Sequence, residues 1–154
     1  MPDRDETPDE RADRNMGELL QELRVALPGV QVLFAFLLAV PFQQRFADVT
    51  SFQEKTYFVV LLLSAAATAF LIAPSAYHRL NFARGDKPHI VRVASTLSVI
   101  GLVVLAFAMT GAVMLITDFL FASTTVTITV VGTALMFVAL WFVLPLLRRA
   151  QNSS

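Results

Sequence analysis

The chain has 154 residues, the length of one domain, and its 12 basic and 12 acidic side chains give a formal net charge of zero. It is 56% hydrophobic and 16% charged, whereas soluble proteins average about a quarter charged residues. The apolar surplus lies in long runs, which excludes an ordinary soluble domain and indicates a membrane protein. The sequence contains no cysteine, which excludes disulfides, a thiolate nucleophile and cysteine-based metal sites.

The first 27 residues are acidic, with eight carboxylates against four arginines and therefore a net charge of −4. Such a leader lacks the basic n-region of a secretory signal, so we expect no cleavage. We predict a disordered acidic tail over residues 1–14 and an amphipathic interfacial helix over residues 15–27, with Asn15 as its N-cap. Docking onto a partner is the alternative role of this helix. Its acidic charge argues for that role, because membrane-surface helices usually carry Lys and Arg.

The next apolar stretch, LPGVQVLFAFLLAVPFQQRF over residues 27–46, is short for a membrane span, because only eleven apolar residues separate Gln31 from Gln43. Starting the segment at residue 25 and ending it at residue 42 gives eighteen residues, or ~27 Å of helix. Arg24 and Arg45 then flank the segment and can reach the headgroups. We predict a first membrane-spanning helix over residues 25–45.

Three later runs carry no charged residue, and each is longer than the ~18–20 residues that an α-helix needs to cross a bilayer. In the first of these runs, Tyr57 and Tyr77 stand twenty residues apart, or ~30 Å along a helix, as expected for two interfacial aromatic belts. We predict an all-α integral membrane four-helix bundle with an N-terminal amphipathic helix. Its membrane domain covers residues 28–147, its later spans cover residues 57–77, 93–116 and 124–147, and its short cytoplasmic tail covers residues 148–154.

Four spans divide the basic residues unevenly between the two sides of the membrane. The tail, the 78–92 loop and the C-terminus share one side and hold ten of the twelve basic residues, whereas the other side holds Arg45 and Lys55. By the positive-inside rule, we expect both termini in the cytoplasm and the protein in the plasma membrane. A half-span in place of the first helix would put Arg45 and Lys55 on the side of the tail and blur this division.

Small and hydroxyl-bearing residues recur within the spans. Residues 64–69 of the second span and Ala108, Gly111 and Ala112 of the third let helix backbones approach closely, which drives association inside a bilayer. The fourth span carries a stripe of threonines at four-residue spacing. We favour hydroxyls bonded to the preceding turn or across a helix contact, and a polar permeation lining is the alternative. The stripe consists of Thr125, Thr129 and Thr133.

The other polar side chains lie at the rims of the spans, where we expect inter-helix contacts. A buried Gln31 amide needs a partner, which the cytoplasmic ends of neighbouring helices can supply. Arg45 and Asp118 share the outer face and can pair, although a screened surface pair contributes at most about 1 kcal/mol. The side chains expected to make inter-helix polar contacts are Gln31, Gln43, Gln44, Arg45, Tyr77, His78, Arg79 and Asp118.

Catalytic chemistry has little support in the sequence. The sequence spacings of His78 and His89, in the cytoplasmic loop, to acidic residues and to each other are not those of a metal or catalytic motif, and no Gly-rich phosphate loop occurs. We therefore expect no enzyme activity, no catalytic, cofactor-binding or metal-binding residues, and no cofactor.

Three strings resemble a family of small actinobacterial membrane proteins of unknown function: GELLQELRVALPGVQVLFAFLLAVPFQQRF (17–46), LIAPSAYHRLNF (71–82) and MTGAVMLI (109–116). The resemblance extends from about Glu6 to Pro145 and implies no catalytic residue. Some members carry an automatic sodium:proton antiporter label. Coupled transport generally needs an ionisable group at membrane depth, but no Asp, Glu, Lys, Arg or His lies in the apolar part of any predicted span. Asp118, at the outer end of the third span, is the nearest acid.

These observations predict a non-catalytic small multi-pass membrane protein that self-associates or serves as an accessory subunit of a membrane complex. The alternative is a small ion or proton-coupled transporter or channel that acts as an oligomer, with Gln31, Thr110 or the threonines of the fourth span lining a path. The expected partners are the lipid bilayer and a second copy or another membrane protein, with no nucleic acid.

Overall fold

The computed structural model describes residues 6–81, 87–121 and 123–151. Residues 1–5 of the predicted tail and the last three residues of the predicted C-terminal tail lie outside these ranges. The helices are α1 (Pro8–Ala39), α2 (Ser51–Asn81), α3 (Lys87–Leu120), α4 (Ser123–Val138) and α5 (Leu144–Gln151). Two 3₁₀ turns, Val40–Phe42 and Gln44–Asp48, connect α1 to α2, and a π-helical turn, Ala139–Val143, joins α4 to α5.

Within the described residues, four helical segments are long and apolar enough to cross a membrane: Pro8–Phe42, Ser51–Asn81, Lys87–Leu120 and Ser123–Arg148. The predicted all-α, four-span class is therefore confirmed. The helices extend past the apolar runs because a continuing helix satisfies its own backbone hydrogen bonds at the membrane surface as well as within it. The fourth span includes α4, the π-helical turn and most of α5.

The N-terminus differs from the prediction, because α1 begins at Pro8 and is continuous with the first span. Thr7 and Glu10 form a capping box: the Glu10 N–H donates to Thr7 Oγ1 at 3.3 Å, and the Thr7 N–H donates to Glu10 Oε2 at 2.9 Å. This pair satisfies backbone donors that have no partner at a helix start. The prediction of disorder over residues 8–14 is therefore wrong, and Asn15 lies inside the helix. The amphipathic segment is the first part of α1.

Helices α2 and α3 pack against each other, α1 packs against both, and α4 packs mainly against α3. Tyr77 of α2 contacts the cluster of Met16, Ile90 and Ala94. Leu37 of α1 lies in a second cluster, at the opposite end of α2. We call the first the terminal end of the bundle, because the chain enters there, and the second the hairpin end, because the α1–α2 connection lies there.

The α2–α3 interface uses the small residues that the sequence analysis identified. Ser64, Ala67 and Ala108 have no exposed surface. A Cβ atom added at Gly111 would lie 2.6 Å from Val60 Cγ2, and one added at Gly101 would lie 2.8 Å from the Leu71 side chain. The close approach of the two backbones therefore depends on both glycines, and these small residues pack within a single chain.

Candidate functional site

The hairpin end contains a cleft of about 160 Å³ between the α1–α2 connection and α3. Its interior is formed by apolar side chains in the α1–α2 connection, at the start of α2 and in the last two turns of α3. Arg45 and Gln43 lie on its border and are exposed. We call it the hairpin-end cleft. Its lining residues are Val40, Gln43, Arg45, Phe46, Val49, Gln53, Tyr57, Leu115, Ile116 and Phe119.

Gln53 is the central polar residue of this end. Its Nε2 donates to Asp118 Oδ2 at 2.9 Å, which joins α2 to α3, and its Oε1 accepts from the Thr50 N–H at 3.0 Å. The Gln53 N–H in turn donates to Thr50 Oγ1 at 3.2 Å, so the two residues form a reciprocal cap at the start of α2. Threonine followed three residues later by glutamine is the sequence signature of such a cap, and it could have identified Gln53 in advance.

Asp118 makes an inter-helix polar contact, as predicted, but its partner is Gln53 and the expected pair with Arg45 is not formed. Arg45 instead lies over the ring of Phe119, with its Cζ atom 5.4 Å from the ring centroid. This is cation–π distance. Arg45 makes no ion pair with any residue in the described ranges, so its guanidinium is not neutralised locally.

Tyr57 closes the inner wall of the cleft. Its hydroxyl donates at 3.0 Å to the Leu37 carbonyl near the end of α1, which also accepts from the Val40 N–H. Its ring meets Phe46 edge to face, with centroids 5.3 Å apart. The spacing of Tyr57 and Tyr77 predicts a position at the membrane interface but not this hydrogen bond, because nothing in the local sequence indicates which carbonyl a tyrosine will reach.

Gln31 lies on the outer surface of α1, although the sequence analysis expected it to be buried against neighbouring helices. Its neighbour Val30 is 2% exposed and packs against α2 and α3. One residue along a helix is a rotation of about 100°, so Gln31 is turned away from the bundle and is exposed. Its amide makes no hydrogen bond with any described residue. Among the described residues, the expected partner for this amide is therefore not found.

The remaining predicted polar residues lie at the two ends. Tyr77 packs against Met16 and Ile90, and Arg79 is exposed. His78 borders a cavity of about 20 Å³ shared with Asp13 and Lys87. At the hairpin end, Gln44 is exposed in the second 3₁₀ turn.

An ion pair joins α1 to α3 at the terminal end. Lys87 Nζ lies 2.7 Å from Asp13 Oδ2 and donates a hydrogen bond to it. Along α1, Arg14 bonds Glu6 at 3.0 Å and lowers the pKa of that carboxyl. Across the described ranges, no three His, Asp or Glu side chains are grouped in a way that could hold a metal ion.

Four apolar helices of membrane length, packed around α2 and α3, define a small polytopic membrane protein. The profile of a family of unknown function (DUF6328) matches residues 5–145, and the chain belongs to that family. No curated protein and no solved structure matches the chain.

Proposed function

We propose that the protein is a non-catalytic membrane protein that acts by association within the bilayer, by pairing with a second copy or as an accessory subunit of a membrane complex. The observation that carries this proposal is the position of Gln31. Its side chain is exposed on α1, seven residues beyond Arg24 and therefore about 10 Å inside the apolar part of the helix.

An amide at this depth has no water to bond. Moving an amide from water into hydrocarbon without a hydrogen-bond partner costs roughly 4–8 kcal/mol, and polar side chains inside membranes usually contact other helices. Because α2 and α3 lie on the other face of α1, the position of Gln31 supports a partner from another chain. The small residues of the α2–α3 interface give no support for association, since they are occupied within the protomer.

A second copy is the partner that best fits this face. An amide carries both a donor and an acceptor, so two Gln31 side chains related by a two-fold axis can satisfy each other. Ala35 lies one turn further along the same face and is exposed. Its small side chain allows another helix to approach closely at the level of the amide.

The orientation of this assembly follows from charge. The terminal end carries ten basic residues by sequence and the hairpin end carries Arg45 and Lys55. The positive-inside rule supports a plasma-membrane protein with both termini in the cytoplasm.

Single cysteines test the pairing, because the natural chain has none. Ala35 lies about 40° from Gln31 around α1 and Phe36 about 140°, and both side chains are exposed to lipid. We expect Ala35→Cys to form disulfide-linked dimers on oxidation in native membranes, and Phe36→Cys to form far fewer.

A second substitution tests the role of the amide. Adding Gln31→Leu to Ala35→Cys should reduce the crosslinked fraction several-fold, since interhelical hydrogen bonds contribute about 1 kcal/mol. Gln44→Leu, which removes an exposed glutamine outside the span, should leave it unchanged.

Two results would overturn the proposal. The first is a lone monomer without copurifying partners, seen both by crosslinking and by native mass analysis from membranes. The second is transport, measured as sodium-dependent proton movement in liposomes loaded with a pH-sensitive dye and lost on Asp118→Asn. Within one chain, Gln31 and Thr110 do not line a common path, because Gln31 faces outward from α1 whereas Thr110 borders an apolar groove between α3 and α4.

A further inference from the structure

We propose that the hairpin-end cleft binds an anionic glycerophospholipid, with the phosphate at Arg45 and the first part of an acyl chain in the apolar interior. This inference is independent of the proposed pairing through Gln31. It rests on three observations: the shape and apolar lining of the cleft, the exposed Arg45 guanidinium without a carboxylate partner among the described residues, and the positions of the cleft and Arg45 along the membrane normal.

The interior of the cleft presents almost no free polar atom to a ligand. The Gln53 amide is bonded at both ends, to Thr50 and to Asp118, and the Tyr57 hydroxyl is bonded to the Leu37 carbonyl. The rest of the lining is apolar, and the volume of the cleft is about 160 Å³. A cavity of roughly this size accommodates a benzene-sized apolar group, so a short stretch of hydrocarbon chain fits.

Arg45 supplies the charge complementarity at the mouth. Its guanidinium is exposed, lies over Phe119 and has no carboxylate partner among the described residues. The carboxylate of Asp118, next to Phe119 in the chain, is instead hydrogen-bonded by Gln53. A guanidinium stacked on an aromatic ring keeps its N–H donors available at its edge. Phosphate oxygens are the acceptors that this planar fork binds bidentately.

The depth of these groups matches a lipid and not a soluble anion. Arg45 lies beyond the apolar part of the first span, at headgroup level, whereas Leu115 and Ile116 lie inside the apolar part of α3. A ligand that reaches both must carry an anionic head and an apolar tail along the membrane normal. Charge-assisted hydrogen bonds would hold the head of such a ligand, and burial of apolar surface would hold its tail.

Lipid titration followed by native mass spectrometry tests the proposal on the delipidated full-length protein in detergent. The probes are phosphatidylglycerol and phosphatidylcholine with identical acyl chains, so that the lipids differ only in the head group, which is anionic in the first and zwitterionic in the second. We expect tighter binding of phosphatidylglycerol, because no cation in its own head group neutralises its phosphate, and we expect Arg45→Gln to weaken it about fivefold and to weaken phosphatidylcholine less. Lys55→Gln is the matched control, because Lys55 is exposed at the same end but does not line the cleft. It should change neither affinity.

Two further measurements separate the tail from the head. Ile116 borders the cleft and is 58% exposed, so Ile116→Trp can occupy the cleft without crowding the interior, and it should weaken both lipids. Inorganic phosphate in excess should not displace phosphatidylglycerol. Equal affinity for the two lipids, equal effects of Arg45→Gln and Lys55→Gln, unaltered binding by Ile116→Trp, or displacement by phosphate alone would each overturn the proposal.

Discussion

At the scale of single residues, the side chain of Gln53 links α2 to α3 at the hairpin end. Its amide caps the start of α2 through Thr50 and reaches across to Asp118 of α3. The side chain is buried, with 8% of the residue exposed. A hydrogen bond to a charged group contributes about 1.5–3 kcal/mol, more than an exposed ion pair. Asp118 therefore gains more from the buried amide than it would from Arg45 at the surface.

A double-mutant cycle measures this preference. We expect Gln53→Leu and Asp118→Leu to be coupled by about 1.5 kcal/mol in the free energy of unfolding, measured in mixed detergent micelles. The control cycle pairs Arg45→Leu with Asp118→Leu and should give a coupling near zero, since Arg45 contacts Phe119 instead. A coupling energy that is larger in the Arg45–Asp118 cycle than in the Gln53–Asp118 cycle would show that Arg45, and not the Gln53 amide, stabilises the Asp118 carboxylate.

At the scale of helices, the contact between α2 and α3 depends on the absence of a side chain at Gly111. A Cβ there would meet Val60 Cγ2 at 2.6 Å, and Val60 is 2% exposed and β-branched, so its side chain has little freedom to move. We expect Gly111→Ala to lower the free energy of unfolding by about 1–3 kcal/mol. A Cβ at Gly132 of α4 would meet nothing within 4 Å, so Gly132→Ala should be neutral or stabilising by up to about 1 kcal/mol. Equal losses in both variants would contradict this account of the interface.

The spans and their small-residue faces could be predicted from the sequence, but the inward face of α1 could not. Val30 is 2% exposed and Val32 is 55% exposed, although both are valines in the same apolar run. Lipid and protein interior are similarly apolar, so hydrophobic periodicity does not report which side of a membrane helix faces its neighbours. This is why the predicted interior position of Gln31 differs from the structure. The start of α1 differs for another reason: the acidic and proline-containing composition is typical of a disordered tail, whereas the capping-box signature at Thr7 and Glu10 marks a helix start.

At the scale of the whole molecule, the fold sets apart two ends of different character. The terminal end is tied by the ion pair of Asp13 and Lys87 and carries most of the basic residues by sequence. The hairpin end has the cleft and the single arginine at its mouth. Because α1, α2 and α3 run antiparallel to one another in sequence, the terminal end and the hairpin end are separated by the length of one span. Both the lipid site and the orientation of the protein therefore depend on the four-span topology.

Accessibility labelling tests that topology in the intact cell. Ser51 begins α2 and Leu80 lies one residue before its end, so the two side chains are ~44 Å apart along the helix. Ser51 is exposed, and Leu80 is 81% exposed. We expect a membrane-impermeant thiol reagent to label Ser51→Cys from outside, and to label Leu80→Cys only after the membrane is permeabilised. Gln44→Cys, in the same α1–α2 connection that borders the hairpin-end cleft, should behave like Ser51→Cys.

Labelling of Ser51→Cys and Leu80→Cys from the same side would reject a membrane-spanning α2, and with it the four-span arrangement. Labelling from opposite sides with Leu80→Cys outside would keep the fold and reverse its orientation, because the positive-inside rule would then have been overridden.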